Sequence, residues 1–273
     1  SSKISLMIGW GARGATKEVL QVAQKLNAPI VHSLKGKSVI DQDNPYWAGG
    51  LGLLGTTGGE HAVEECDTLV LLGTDYPYRQ FLPKHKRIIQ IDIASSRIGR
   101  RCDVELGVAG HVRPTLEALL PILQENKDKS FLEKTQEIKS HWEAKMEKKG
   151  VTDGKKPPIR PQAVARALCR HATDNAVFTA DTGEPPVWMA RHIHMKGERE
   201  FLMSFNHASM ANAMPQALGA QALDHSRQVI GLCGDGGFTM LMGDFITAVT
   251  YDLPIKCIVF NNSKLGLVKM EME

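Results

Sequence analysis

The sequence lacks the features that mark membrane-spanning, nucleic-acid-binding and disulfide-rich proteins. No apolar run approaches the about 20 residues that a membrane-spanning helix needs. The chain of 273 residues has a formal net charge of +3 and no block of Lys and Arg interleaved with aromatic residues, which argues against nucleic acid as a partner. Its five cysteines are scattered, with no CxxC or Cys/His spacing, so neither zinc nor a disulfide framework is expected. We expect reduced thiols and a cytoplasmic protein.

Both ends of the chain predict that it is a fragment. It does not begin with Met, and a strand-like run starts at residue 4. The last residues, 271–273, directly follow a segment with the character of a functional site. We therefore expect further protein on either side.

Short apolar runs alternate with helical patterns along most of the chain. Such alternation predicts an α/β fold in which helices cover both faces of parallel sheets. Strands are predicted at 4–8, 29–32, 68–73, 87–93, 104–108, 176–180, 201–205, 229–233 and 255–260. Helices are predicted at 15–27, 114–124, 131–149, 161–171, 211–223 and 238–251.

A stretch rich in Lys and Glu interrupts this alternation between residues 125 and 156. A solvated helix that connects two domains explains such a charge run better than a partner site does. We therefore predict two doubly wound parallel-sheet domains, 1–125 and 159–273, joined by a charged linker with a helix at 126–158.

Glycine, acidic and amide residues follow two strand-like runs near the end of the chain. Gly-Asp-Gly-Gly occupies 234–237, after the first run, and Asn-Asn occupies 261–262, after the second. A helix between two such strands makes them parallel neighbours, so Asp235 and Asn262 should meet at the carboxyl edge of a sheet. Mg²⁺ prefers such oxygen ligands, and glycines at a helix N-terminus let backbone N–H groups receive a diphosphate. Either piece alone is more often a plain turn, but together they predict a metal-bridged diphosphate.

The combination resembles the thiamin-diphosphate-binding motif, in which Gly-Asp-Gly is followed by Asn-Asn. The resemblance implies Mg²⁺ held by the side chains of Asp235 and Asn262 and by the backbone carbonyl of Lys264. It places the cofactor against three glycines of the first piece, Gly234, Gly236 and Gly237.

The stretch 204–221 resembles the pyrimidine-binding segment of pyruvate oxidases and acetolactate synthases. Met210 matches the apolar residue that wedges under the cofactor in this family and bends its two rings into a V. Backbone groups of Ala208 and Met210 would contact the pyrimidine, although the family usually has Gly where Ala208 stands. Asp181 and Gly183 lie in a turn similar to the family's Asp-Val-Gly turn near the diphosphate. A Met in an apolar stretch is otherwise ordinary core packing.

The resemblance to bacterial pyruvate oxidases that pass electrons to quinone covers essentially the entire chain, including 71–79, 88–93 and 206–221. It implies a central FAD-binding domain followed by a truncated domain that binds thiamin diphosphate. The resemblance also implies that this chain lacks the family's first domain, which supplies the glutamate that starts catalysis.

A Gly-x-Gly-x-x-Gly pattern starts at residue 9, after the first strand and before a helix. It is a weak dinucleotide signal that does not choose between NAD and FAD. No acidic residue stands at the end of the second strand, in 31–34, which argues against a standard NAD site. The family resemblance implies FAD, near Gly9, Gly11, Arg13, Gly55, Thr74, Tyr78, Arg79 and Asp92.

The last residues bear on the choice between an oxidase and a carboligase. Leu267 stands where pyruvate oxidases usually carry a Phe between the two cofactors. Glu271 matches the oxidase pattern, at a position where acetolactate synthases tend to have Trp. Leu267 and Glu271 are therefore the candidate catalytic residues.

The resemblance implies oxidative decarboxylation of pyruvate to acetate and CO₂, with electrons passed to quinone or another acceptor. It implies a homo-oligomer, taken as a homotetramer, with the active site formed between subunits. Contact with the inner face of the cell membrane is expected only through a C-terminal segment outside this chain. An acetolactate synthase with structural FAD and a non-catalytic scaffold are the alternatives.

Overall fold

A computed structural model of the chain describes residues 2–151 and 158–273, and of Glu271 only the backbone. The chain divides into two compact units, Ser1–Lys145 and Met146–Glu273. Each unit contains one parallel β-sheet, which confirms the predicted α/β class. The boundary between the units, at residues 145 and 146, lies inside the helix Ser130–Lys149 of the charged stretch. The predicted domain limits at 125 and 159 stay a prediction.

The first unit is a six-stranded sheet with helices on both faces. Its strands are β1 (Ile4–Ile8), β2 (Ile30–His32), β3 (Trp47–Gly50), β4 (Thr68–Leu72), β5 (Arg87–Asp92) and β6 (Leu106–Ala109). Its helices are α1 (Thr16–Leu26), α2 (Thr57–Glu64), α3 (Val112–Leu119) and α4 (Ser130–Lys149), the last of which continues into the second unit. The strand order is β3-β2-β1-β4-β5-β6, the order of dinucleotide-binding doubly wound domains.

Alternate residues of the central strands build two separate cores, one on each face of this sheet. Leu6 and Ile8 face a cluster that includes α1 and α3. Met7 faces a second cluster, which includes α2 and Phe131 of α4. Burying one such side chain stabilises the fold by about 1.5–3 kcal/mol. Continuous apolar strands are therefore buried on both sides, as the sequence predicts.

Sequence patterns miss β3 and α2 because both elements contain paired glycines. Gly58 lies in the first turn of α2, where a Cβ would come 2.6 Å from the carbonyl oxygen of Ala48 in β3. The side chain of Thr56 caps this helix by accepting the N–H of Gly59 at 3.2 Å. The glycines that indicate a loop in the sequence permit close packing of helix on strand.

A buried histidine ends β2. His32 is 3% exposed and stacks on Trp47, with ring centroids 6.3 Å apart. Its Nδ1 lies 3.1 Å from the carbonyl oxygen of Ser33, which assigns the proton to this nitrogen, and Nε2 lies 3.5 Å from the Gln42 amide nitrogen. Burial and the nearby Lys37 lower the pKa of His32 to about 3, so the ring is neutral at physiological pH.

The second unit is a four-stranded parallel sheet in the order β10-β9-β7-β8. Its strands are β7 (Val177–Ala180), β8 (Glu200–Met203), β9 (Val229–Gly234) and β10 (Lys256–Phe260). Its helices are α5 (Pro161–His171), α6 (Pro185–His192), α7 (Ala213–Leu223), α8 (Asp235–Met240), α9 (Phe245–Thr250) and α10 (Gly266–Met272).

Helices cover both faces of this sheet as well. Ala217 of α7 packs against Val177 and Val229 on one face. Residues of α5 lie over Ile230 and Ile258, which belong to the opposite face of β9 and β10. Both units are therefore doubly wound.

The single helix predicted for 238–251 is wrong. The structure has α8, a short 3₁₀ turn at Met242–Asp244, and α9. Leu241 leaves the helical region, with φ −126° and ψ 26°, and the following turn contains Gly243. Glycine is a poor helix former, so the helix breaks here. The apolar pattern continues through the break, which is why the sequence predicts one helix. Among the residues that the structure describes, no helix has both the length and the hydropathy to cross a membrane.

Candidate functional site

Asp235 stands where β9 ends and α8 begins. Its two carboxylate oxygens accept different backbone hydrogen bonds, one from Gly236 at 2.9 Å and one from Ser263 at 2.7 Å. Ser263 belongs to the loop after β10, which pairs in parallel with β9. The two motif pieces thus meet at adjacent carboxyl ends of one sheet, as the crossover argument predicts.

The loop after β10 is a tight turn built from amide side chains. The amide oxygen of Asn261 accepts the N–H of Ser263 at 3.0 Å, and that of Asn262 accepts the N–H of Lys264, also at 3.0 Å. Ser263 has a left-handed φ of 52°. The turn gathers the predicted metal ligands Asn262 and Lys264 on the segment that Asp235 holds.

This site contains only one predicted anionic ligand. Within residues 2–151 and 158–273, no group of three or more His, Cys, Asp or Glu side chains is arranged to hold a metal. The predicted set of one carboxylate, one amide oxygen and one carbonyl suits a hard cation that keeps further positions for phosphate oxygens. Its assignment to Mg²⁺ stays a prediction.

Asp181 is buried at the end of β7, against the start of α7 and the end of β9. It is 1% exposed, and its carboxylate accepts the N–H of Ala213 at 2.8 Å and the N–H of Gly234 at 3.1 Å. Gly237 packs so closely on this carboxylate that any Cβ there would overlap it. Burial raises the pKa of Asp181 above its ordinary value, while these hydrogen bonds oppose the rise. The side chain ties the ends of β7 and β9 to the start of α7.

The turn after Asp181 offers an unfilled hydrogen-bonding group. The hydroxyl of Thr182 is buried and has no hydrogen-bond partner among the described residues. Gly183 follows with φ 135°, a conformation that favours glycine. The strand order changes direction between β7 and β9, and in doubly wound sheets ligands bind at that point. The donor set and the unsatisfied hydroxyl therefore fit a diphosphate.

The predicted pyrimidine-binding segment, 204–221, approaches the start of α8 at Gly236. The methyl carbon of Met210 lies 3.4 Å from the position that a Cβ on Gly236 would occupy. Ala208 has a left-handed φ of 51°, which explains why a glycine suits this position in the family. Met210 is half-buried, so part of its side chain remains available for contact.

The loop of residues 261–265 carries the predicted metal ligands Asn262 and Lys264 and is called the metal loop. The candidate catalytic residues lie on α10, which directly follows it. Leu267 is 38% exposed and therefore accessible at the surface of its unit. Glu271 lies in the same helix, but its side chain is outside the described part of the chain. The roles of both residues stay predictions.

Predicted flavin residues meet at the carboxyl edge of the first sheet. A Cβ on Gly9 would lie 2.5 Å from the Cβ of Thr74, and the N–H of Gly11 donates to the carbonyl of Gly73 at 3.0 Å. The β1 and β4 ends touch here, where the strand order changes direction. The first two glycines of the motif thus serve backbone packing at the place where doubly wound sheets bind ligands.

The other predicted flavin residues occupy loops of the same unit. Arg13 stacks over Trp10, with its guanidinium carbon 4.6 Å from the ring centroid. Asp92 is 3% exposed and accepts the N–H of Ala94 at 2.9 Å, and Arg79 donates to the carbonyl of Arg101 at 2.9 Å. Three further positions lie in loops that follow β3 and β4: Gly55, Thr74 and Tyr78.

One buried group near these loops lacks a partner. The hydroxyl of Tyr76 lies against Gly52, and no described residue hydrogen-bonds to it. Burial raises the pKa of this phenol, so it remains a donor at neutral pH. Such a group fits a polar ligand at this edge, and it does not identify FAD.

Sequence patterns do not single out two residues that the structure brings to the metal loop. Ser263 acts through its backbone N–H, which no side-chain pattern reveals. Glu184 follows the 181–183 turn, and its carboxylate reaches Gly266, next to Asn262. Only its position directly after the turn is visible in the sequence.

Comparisons with known proteins match each unit to a domain of one enzyme family. Residues 1–119 match the family "Thiamine pyrophosphate enzyme, central domain", and residues 181–273 match "Thiamine pyrophosphate enzyme, C-terminal TPP binding domain". The chain is 38% identical to a Bacillus subtilis protein described as "Putative thiamine pyrophosphate-containing protein YdaP", with 100% of this chain and 47% of that protein covered.

Two other relatives represent different activities. A "Probable acetolactate synthase large subunit" from Methanocaldococcus jannaschii is 32% identical, over 93% of this chain and 44% of its own length. A "Pyruvate oxidase" from Lactiplantibacillus plantarum is 27% identical, over 97% of this chain and 44% of its own length. The chain spans about half the length of the relatives it matches.

Proposed function

The chain belongs to the thiamine pyrophosphate enzyme family, and we propose that it is part of a thiamin-diphosphate- and FAD-dependent pyruvate oxidase. The observation that supports a metal-bridged diphosphate is the hydrogen bond from the backbone N–H of Ser263 to the Asp235 carboxylate, which joins the two motif pieces. The proposed reaction converts pyruvate and water to acetate and CO₂ while FAD takes up two hydrogen atoms and passes electrons to quinone.

In this proposal, side chains at the ends of β9 and β10 hold Mg²⁺ and the diphosphate. Asp235, Asn262 and the carbonyl of Lys264 supply oxygen ligands, and the Thr182 hydroxyl is free to donate to a phosphate oxygen. The Asp181 carboxylate ties the end of β9 to the start of α7 by accepting the backbone N–H groups of Gly234 and Ala213. Bound thiamin diphosphate would supply the electron sink for decarboxylation, and bound FAD the electron acceptor.

The choice of an oxidase rests on sequence, because Glu271 follows the pattern of pyruvate oxidases. Acetolactate synthase is the second candidate, since the archaeal synthase is more similar in sequence than the bacterial oxidase. Leu267 also departs from the usual oxidase residue. A homo-oligomer with shared active sites and a peripheral membrane contact belong to the oxidase proposal.

An absorbance spectrum of the purified whole protein before and after anaerobic addition of pyruvate tests this choice. An oxidase should show a flavin spectrum that bleaches with pyruvate, and acetate should appear. A flavin that stays oxidised while acetolactate accumulates would establish the synthase. A protein with neither product would support the scaffold alternative.

A further inference from the structure

Two cysteine side chains meet on neighbouring strands of the second sheet. Cys257 of β10 is aligned with Gly231 of β9, two residues before Cys233. Strand residues two apart point to the same face, so both cysteines lie on one side of the sheet. A Cβ on Gly231 would lie 3.8 Å from the Cβ of Ala217, so this side faces α7. The two thiols hydrogen-bond to each other, which makes them a pair in contact.

The two thiols of this pair differ in their exposure to solvent. Cys233 is 1% exposed, whereas Cys257 is partly exposed, and both are free thiols. The hydrogen bond from Cys233 lowers the pKa of Cys257. The more accessible sulfur therefore forms a thiolate, the reactive state, more readily than an ordinary cysteine does. A reagent should attack Cys257 first and reach Cys233 from there.

The register of the strands argues against a direct disulfide. Neighbouring strands lie about 4.8 Å apart and rise about 3.3 Å per residue, so an offset of two residues separates the Cα atoms by about 8 Å. A disulfide requires a Cα separation of at most about 6.8 Å. Zinc is not served either, since the described residues include no group of three or more His, Cys, Asp or Glu arranged to hold a metal. A single atom that bridges the two sulfurs fits this pair better.

Charge narrows the choice of the bridging atom. The buried carboxylate of Asp181 accepts the N–H of Gly234, the residue after Cys233, and its charge acts on both thiols. Two thiolates on a monovalent cation such as Cu⁺ would add a negative charge near this carboxylate, in a place where burial makes charge costly. Trivalent arsenic with one organic substituent instead forms an uncharged product with two thiols.

We propose that Cys233 and Cys257 form a dithiol site for trivalent arsenicals, which bridge β9 and β10. An aryl arsenoxide reacts with the two thiols to form two As–S bonds. The bond between arsenic and oxygen breaks, and the oxygen leaves as one water molecule with the two thiol protons. Arsenic stays trivalent and sulfur is not oxidised, so the reaction needs no oxidant or reductant.

The test treats the purified protein with phenylarsine oxide and then with an excess of β-mercaptoethanol, a monothiol that removes arsenic held by one sulfur. Intact-mass spectrometry should show one phenylarsenic group retained per chain, and ethanedithiol should remove it. Alkylation of the unfolded adduct with iodoacetamide should leave Cys233 and Cys257 unmodified. It should label the remaining cysteines, Cys66, Cys102 and Cys169.

Cys257→Val removes the accessible thiol and places a residue that suits a strand. Retained arsenic should fall at least about tenfold, because attachment at a second point strengthens binding by a factor of about 100 to 10,000. Cys102→Ser is the matched control, since Cys102 is also partly exposed but lies in the first unit. This control should retain arsenic like the parent.

Three results would overturn the proposal. The first is a parent protein that retains no arsenic against β-mercaptoethanol or whose adduct is alkylated at Cys233 or Cys257. The second is full retention in Cys257→Val. The third is a loss in Cys102→Ser as large as that in Cys257→Val, which would assign the arsenic to another pair of thiols.

Discussion

The carboxylate of Asp235 accepts the backbone N–H of Ser263, 28 residues later in the chain, at 2.7 Å. This bond closes the loop after β10 onto the first turn of α8. An acidic residue thus stands in a glycine turn because it has to reach a second strand end. In the proposed site, the same carboxylate would supply an oxygen ligand to Mg²⁺.

Replacing Asp235 tests the metal assignment. Asp235→Asn removes the anionic ligand but keeps an oxygen that can accept from Ser263. We expect at least a tenfold weaker binding of thiamin diphosphate at fixed Mg²⁺, or about 1.4 kcal/mol, measured by calorimetric titration. Asp252→Asn is the matched control, since Asp252 is exposed and has a left-handed φ that asparagine tolerates. Equal affinity in Asp235→Asn and its control would contradict the assignment.

Met210 should affect turnover more than cofactor affinity. Met210→Ala removes the methyl group beside Gly236 and leaves the diphosphate ligands in place. We expect a lower kcat with nearly unchanged binding of thiamin diphosphate, measured by steady-state kinetics and titration.

Met214→Ala controls for the loss of a methionine, because Met214 is 2% exposed in α7. That change should reduce stability by about 2–5 kcal/mol without a specific loss of kcat. If Met210→Ala only lowers the melting temperature, Met210 is core packing.

Leu267→Phe tests the choice between oxidase and carboligase. Leu267 is 38% exposed, so an added ring does not have to displace core residues. In an oxidase the ring should speed the reduction of flavin by pyruvate, measured as bleaching in a stopped-flow instrument. Val268→Phe, at the neighbouring exposed position, controls for added aromatic surface. Acetolactate production by the parent, with no bleaching in either variant, would favour the synthase.

His32 predicts sensitivity of the first unit to acid. Its pKa is about 3 in the folded protein and 6.5 ordinarily, so between these values the unfolded chain binds a proton that the folded chain does not. The stability contribution is complete above pH 6.5 and falls with decreasing pH, by about 1.4 kcal/mol per pH unit until pH 3.

His32→Phe keeps a ring against Trp47 and cannot take up a proton. Urea unfolding at pH 7 and pH 5 should show that the variant loses about 2 kcal/mol less than the parent across this interval. His225→Gln replaces an exposed histidine and serves as the control. An identical loss in parent and His32→Phe would contradict the buried neutral state.

The sequence by itself determined the parallel α/β units and the two strand ends that meet at Asp235. Apolar runs and helical periodicity are local properties, and they match elements such as α5 and β1 residue for residue. The two-piece motif is also local, since one short helical connection, made of α8, a 3₁₀ turn and α9, joins its strands. Flavin binding and the oxidase activity depend on the family resemblance and stay proposals.

Tertiary structure decided what periodicity does not encode. Gly58 appears as a loop residue in the sequence, but it lies in a helix because β3 approaches it. The carboxylate of Asp181 accepts hydrogen bonds from the backbone of β9 and α7, which no local pattern indicates, and its cofactor-binding role stays a prediction. Glu184 comes close to Gly266 only after β7 and β9 pair and α6 begins at its prolines. Such contacts depend on the order of strands and the direction of side chains, which the folded chain fixes as a whole and no short stretch specifies.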